Sequence, residues 1–272
     1  MIITRALTIA CLLLPIGTTA LYGQQLPLTG FSNPNTEGAE YIDSTEAPMD
    51  SGAKHAGSVS QPLRVLFIGN SLIFVNDTPR LFSFIAANGL HRRVVVGLEA
   101  LGGGTFEQFW NWDKVHNAIV NKKWDFVVLT AAAPFPQPGQ SLDTNAVYPY
   151  VRNFEREVRA QHAQLIGIPT YKIPFLGPRL QGQIDTVVAT LTRRGTKLAP
   201  VPEAWDAVQR TDSSINLYAP DFIHPSPDGS YLIALLLYRT MTQQSPLGLL
   251  HPAEISDHNA ATLQKIAATA HQ

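Results

Sequence analysis

The chain has 272 residues, and its 20 lysines and arginines nearly balance 21 aspartates and glutamates, for a formal net charge of −1. That balance, without any basic run, argues against nucleic acid and anionic membranes as partners. The only cysteine is Cys11, which excludes a disulfide framework and any thiolate metal site.

The first five residues carry one positive charge. An uncharged apolar stretch follows over 6–16, then the small residues Gly17-Thr18-Thr19-Ala20 and the polar pair Gln24-Gln25. This is the layout of a secretory signal peptide over 1–23, with cleavage after Ala20 or Gly23. The apolar core is shorter than a membrane span needs. Cys11 lies inside the leader, so the mature chain would hold no thiol, and a secreted or periplasmic protein with no membrane attachment after cleavage is expected. Residues 24–61 are rich in Gly, Ser, Pro, Thr and acidic residues and read as a flexible linker. Residues 62–258 make one domain, large enough to bury a core, and 259–272 read as a C-terminal tail.

Within the domain, short β-branched apolar runs at 64–68, 93–97, 124–130 and 164–168, and a weaker one at 197–201, read as buried strands. Segments with helical spacing lie between them. Pro79 suits a helical first turn ahead of Leu81, Phe82 and Ile85. Thr105 and Gln108 fit a capping box before Phe109, Val115 and Ile119. Residues 147–161 carry Val151, Phe154 and Val158, and 180–194 carry Ile184, Val187, Val188 and Leu191. Residues 230–241 are strongly apolar and read as a buried last helix. This alternation predicts an α/β fold with a parallel sheet covered on both faces.

Ser71 ends the first strand segment, after the small turn Gly69-Asn70. That places it at the carboxyl edge of a parallel sheet, where such folds bind ligands. A serine hydroxyl needs a base to become a nucleophile; otherwise the residue serves as a helix cap. Far downstream, Asp221-Phe222-Ile223-His224 puts a carboxylate and an imidazole three positions apart in a loop stiffened by Pro225 and Pro227. Asp221 there can fix the His224 tautomer and leave the other ring nitrogen for Ser71. After the second strand, Gly102-Gly103-Gly104 lets the backbone approach a ligand and direct N–H groups at an oxyanion. The spacing fits no dinucleotide or P-loop fingerprint, no histidine pair has a metal-ligand spacing, and no Gly-x-Ser-x-Gly elbow occurs. Neither metal nor cofactor is expected.

In this order, the pieces resemble the SGNH (GDSL-type) hydrolase superfamily over most of the domain, from Val65 to about Tyr238. Gly69-Asn70-Ser71 is similar to the first block of that superfamily, with Asn70 where many members have Asp. Gly103 resembles the second-block glycine, and Asp221 to Ser226 the last block. The text Leu66-Phe67-Ile68-Gly69-Asn70-Ser71 with Asp228-Gly229-Ser230-Tyr231-Leu232 matches a bacterial subgroup especially well. The resemblance implies a flavodoxin-like three-layer α/β/α sandwich with about five parallel strands. It also implies ester hydrolysis through an acyl-enzyme on Ser71, with His224 as base, Asp221 as orienting acid, and the Ser71 and Gly103 amides as the oxyanion hole. The third block departs from the pattern: the superfamily places an Asn or Gln donor after the third strand, whereas this chain reads Thr130-Ala131-Ala132-Ala133-Pro134. Thr130 or a backbone N–H takes that role, or turnover is slow, or the chain binds without catalysing. Asn70, Thr130 and Phe135, the last in a proline-stiffened loop after the third strand, are the expected substrate-side residues. Trp110 and Trp112 fit packing better than sugar stacking. The expected partner is a small-molecule or carbohydrate ester.

Overall fold

The computed structural model describes residues 40–43, 61–130, 147–174 and 176–270, all of them within one unit of the chain, 31–272. The signal-peptide reading of 1–23 and Phe135 lie outside the described residues.

The central strand β2 (Leu63–Gly69) is the apolar run that leads to Ser71. It pairs in parallel with β3 (Val94–Ala100) on one side and β4 (Phe126–Thr130) on the other, and β5 (Gln164–Gly167) lies parallel beyond β4. A short strand β1 (Glu40–Asp43) runs antiparallel along β3, with Glu40 opposite Leu98 and Asp43 opposite Val95. The order is β1-β3-β2-β4-β5. The linker expected over 24–61 thus contributes an edge strand; apart from Gln61 its other residues lie outside the described set.

The parallel strands number four rather than about five. Residues 197–201 make only one parallel bridge, Leu198 to Gly167, before the chain turns into a helix. Pro200 and Pro202 account for this: proline has no N–H to extend a ladder but suits the first turn of a helix.

Alternate strand residues face opposite sides. Val65, Phe67, Val94, Val96, Val128 and Ile166 join one core, which is closed by α2 (Thr78–Leu90), α7 (Val201–Thr211), α8 (Pro227–Thr242) and α9 (Asp257–Thr269). Leu66, Ile68, Val127, Leu129 and Leu165 join the other. That side is covered by α3 (Phe106–Trp110), α4 (Asp113–Val120), α5 (Tyr148–Ala160) and α6 (Pro178–Arg193). Helices on both faces of a parallel sheet make the expected three layers.

Several expected devices form. Thr105 and Gln108 close the capping box of α3, and Pro79 sits in the first turn of α2. Trp110 packs edge-on against Phe154 at 5.1 Å between centroids, a packing role. Residues 259–269, expected as part of a tail, belong instead to α9. Ser256 caps it by accepting from the Asn259 N–H, and Leu263, Ile266 and Ala267 are buried. Those apolar residues recur at helical spacing, so the segment gains enough burial to fold onto α8.

The connections leave β2 in one direction and return across it to β4, which makes the carboxyl ends of β2 and β4 the topological switch point. Gly69 ends β2 there. A Cβ on Gly69 would lie 2.6 Å from Thr130 Cγ2 and 2.8 Å from Ile73 Cγ2, so only glycine lets the strands stay close while the chain turns outward.

Candidate active site

Ser71 opens a one-turn helix, α1 (Ser71–Phe74), directly after β2. The cap of that turn is Asn70, whose side-chain oxygen accepts from the Leu72 N–H at 3.2 Å. Ser71 is therefore released from capping, and its Oγ lies 2.8 Å from His224 Nε2, across 153 positions of sequence. The other ring nitrogen, His224 Nδ1, lies 2.5 Å from Asp221 Oδ2. The Ser71, His224 and Asp221 side chains form one continuous hydrogen-bonded relay.

The acid is itself fixed. Asp221 Oδ1 accepts from the backbone N–H groups of Ile223 at 2.9 Å and His224 at 3.0 Å. Burial pushes the carboxyl up, but the His224 ring and the two backbone donors outweigh it and hold the Asp221 pKa at about 2. Asp221 is thus ionised wherever an imidazole can exchange protons. The tight loop sets Phe222 at φ 58°, a left-handed conformation unusual for a bulky side chain.

The base loop is pinned from three directions. Tyr218 bridges Pro225 in antiparallel sense, with Ala219 N–H donating to His224 O at 2.8 Å. The Tyr171 hydroxyl donates to Ile223 O at 2.7 Å, while its ring stacks on Trp205 at 4.0 Å. The Asn76 amide donates to Pro225 O at 2.7 Å and Ser230 Oγ at 3.0 Å. Asn76 stands just after α1, so this contact ties the turn of Ser71 to the loop of His224. Asn76 and Tyr171 belong to no motif or periodic pattern, so nothing in the local sequence marks either of them.

Gly103 lies on the rim of the same cavity as Ser71. Its φ of 67° favours glycine, and a Cβ built on it would meet nothing within 4 Å. No acceptor among the described residues takes the Ser71 or Gly103 N–H, whereas Gly104 N–H is engaged with Leu101 O at 2.9 Å. Asn70 also lines the rim. Thr130, expected on the substrate side, is turned inward instead. It is 2 % exposed, packs beside Gly69 and donates its hydroxyl to Ile168 O at 3.3 Å. Closeness to Gly69 is what draws it into the sheet and away from the site. Among the described residues no three acidic or histidine side chains gather as metal ligands, and no helix is long and apolar enough to cross a membrane.

No family model matches the chain and no curated protein matches it. Solved structures do. A DUF4886 family protein from Bacteroides uniformis superposes with a TM-score of 0.61 at 17% identity, over 77% of this chain and 95% of that one. A structure described as TesA gives 0.52 at 16% identity, over 66% and 98% of the two chains. A variant of an acetyl-xylooligosaccharide esterase from a Geobacillus gives 0.52 at 16% identity, over 67% and 95%. The chain thus shares its fold with these structures, and the three blocks by which its sequence resembles the SGNH (GDSL-type) hydrolases meet at one edge of the sheet.

Proposed function

We propose that the protein is a serine esterase that hydrolyses carboxylic esters through an acyl-enzyme on Ser71. The observation that carries the reading is the unbroken relay from Ser71 Oγ through the His224 ring to Asp221, 2.8 Å and 2.5 Å in its two links. Ser71 Oγ attacks the ester carbonyl carbon while His224 Nε2 takes its proton. Negative charge develops on the former carbonyl oxygen, where the Ser71 and Gly103 N–H groups receive it. The tetrahedral intermediate collapses as His224 returns the proton to the leaving alcohol, and the acyl group stays on Ser71. Water, deprotonated by His224, then releases the acid. Likeness to an acetyl-xylooligosaccharide esterase supports an ester substrate, with acylated carbohydrates as one class of alcohol. The leader over 1–23 supports export to the periplasm or the medium.

A fluorophosphonate probe tests the reading. Covalent labelling at Ser71, lost in Ser71→Ala, is expected. An unlabelled protein that binds an acylated sugar without consuming it would replace the enzyme with a binding module, the reading favoured by alanines over 131–133. Hydrolysis of p-nitrophenyl acetate should also be lost in His224→Ala, which leaves Ser71 without a base. Undiminished turnover in that variant would remove His224 from the mechanism.

A further inference from the structure

A cavity of about 240 Å³ opens beside Ser71 and runs inward from the catalytic edge. Asn70, Ser71, Gly103 and Thr105 form its rim. Its inner wall is aliphatic: Leu165 and Ile168 from β5 and the residue after it, Val151 from α5, and Leu198. Its roof is α6. Leu180, Ile184, Val187, Val188 and Leu191 of that helix all line the space, and only Val187 and Leu191 among them are buried. These positions recur as one helical stripe, which would ordinarily be covered by packed side chains. From Leu180 to Leu191 the stripe extends about 16 Å at the helical rise per residue.

We propose that this space holds the acyl half of the substrate, and that it selects an unbranched aliphatic chain of medium length. The inference rests on the acyl-enzyme reading above, because Ser71 sits on the rim. Once the acyl group is bonded to Oγ, with its carbonyl oxygen at the Ser71 and Gly103 amides, the cavity is the apolar path beside it. An apolar cavity of roughly 150 Å³ admits a benzene ring, so 240 Å³ accommodates roughly eight to ten methylenes in proportion. A sugar does not suit the interior. Its hydroxyls would need partners, and beyond Asn70, Ser71 and Thr105 the lining side chains offer only the hydroxyls of Thr170 and Thr196, of which Thr196 already donates to Glu155 Oε1 at 2.6 Å. The alcohol half of the ester therefore stays outside, toward solvent, and the acyl half goes in.

The test is a chain-length series of p-nitrophenyl esters, from acetate to dodecanoate, on the full-length mature protein. Expected is a rise in kcat/KM of roughly three- to fourfold per added methylene, levelling off near eight to ten carbons. Ile184→Trp fills the middle of the cavity from a half-buried position. It should abolish the preference for octanoate and decanoate esters over acetate. Val188→Trp, also half-buried, serves the same purpose should the first variant not fold. Highest activity on acetate with a decline for longer chains, or a profile unmoved by either tryptophan, would overturn the proposal. Calorimetric titration of decanoate into Ser71→Ala keeps the two readings apart. Decanoate binding that Ile184→Trp removes supports the cavity even if no ester is turned over, and no binding to the open cavity counts against it even if Ser71 labels with the fluorophosphonate.

Discussion

On one face of the sheet α8 is buried along most of its length, from Gly229 through Tyr238, with α2 and α9 packed beside it. On the other, α6 is a helix of similar length that buries two residues and stands over a cavity. The two faces divide the work of one site. His224 leads directly into α8, and the loop that carries it is hydrogen-bonded to Tyr171, Tyr218 and Asn76, so the base of the proposed mechanism sits on the densely packed side. Catalytic geometry must be held to a fraction of an ångström, and close packing supplies that rigidity. A binding space needs the opposite, an apolar wall left unfilled, and the side under α6 supplies it.

The largest expected effect lies where the two faces meet. Ser71→Ala should lower kcat by about 10⁴-fold or more, and Asp221→Asn by about 10⁴-fold, with the fold intact by circular dichroism. Retained turnover in either would leave the packed face with no catalytic role. Next, the contrast in packing should appear as stability. Leu235→Ala, in the middle of α8, should cost about 2–5 kcal/mol in urea unfolding. Val187→Ala on α6 should cost about 1 kcal/mol, because its side chain already borders open space. Equal losses would erase the distinction between the faces.

A smaller effect tests the pinning of the base. Asn76→Ala removes the bridge between the turn of Ser71 and the loop of His224, and should reduce kcat by about 10- to 100-fold with little change in KM. A loss expressed mainly in KM would make Asn76 a substrate contact rather than a positioning residue. The smallest concerns Glu99, which is buried near the end of β3. Burial pushes its pKa up from 4.5 to about 7, with the Lys114 ammonium partly opposing the shift. Between those values the folded chain keeps a proton that the unfolded chain has released, so stability contributed by the neutral form is lost as pH rises through that window. Glu99→Gln should therefore raise stability at pH ~8 by about 1 kcal/mol and change it less at pH ~5. Denaturation midpoints at the two values, with no difference between them, would show that Glu99 is ionised at no cost.

Much of the site was legible because its parts are local. Gly69-Asn70-Ser71 lies at the end of an unmistakable apolar run, and Asp221 and His224 are neighbours in one loop, so their hydrogen bond follows from spacing alone. The caps and proline positions of α2 and α3 were legible for the same reason. The misreadings share the opposite property. The apolar content of 197–201 suggested a strand, but its prolines stop the ladder after a single bridge. Thr130 looked available to substrate until Gly69 brought it within packing distance. Residues 259–269 looked like part of a tail because their apolar positions matter only once α8 is there to receive them.

The amino-acid order alone determined the four parallel strands and most of the helices, the faces they bury, and which side chains have the chemistry of a nucleophile, a base and an acid. These are short-range matters of periodicity, turn chemistry and residue type. Only the tertiary structure decided that Ser71 and His224 lie 2.8 Å apart, that Asn76 braces the loop between them, and that α6 stands off the sheet far enough to leave a cavity. An apolar stripe fixes which side of a helix turns inward. How closely that side approaches the sheet depends on crossovers and side chains far away in the chain, and no local pattern encodes that distance.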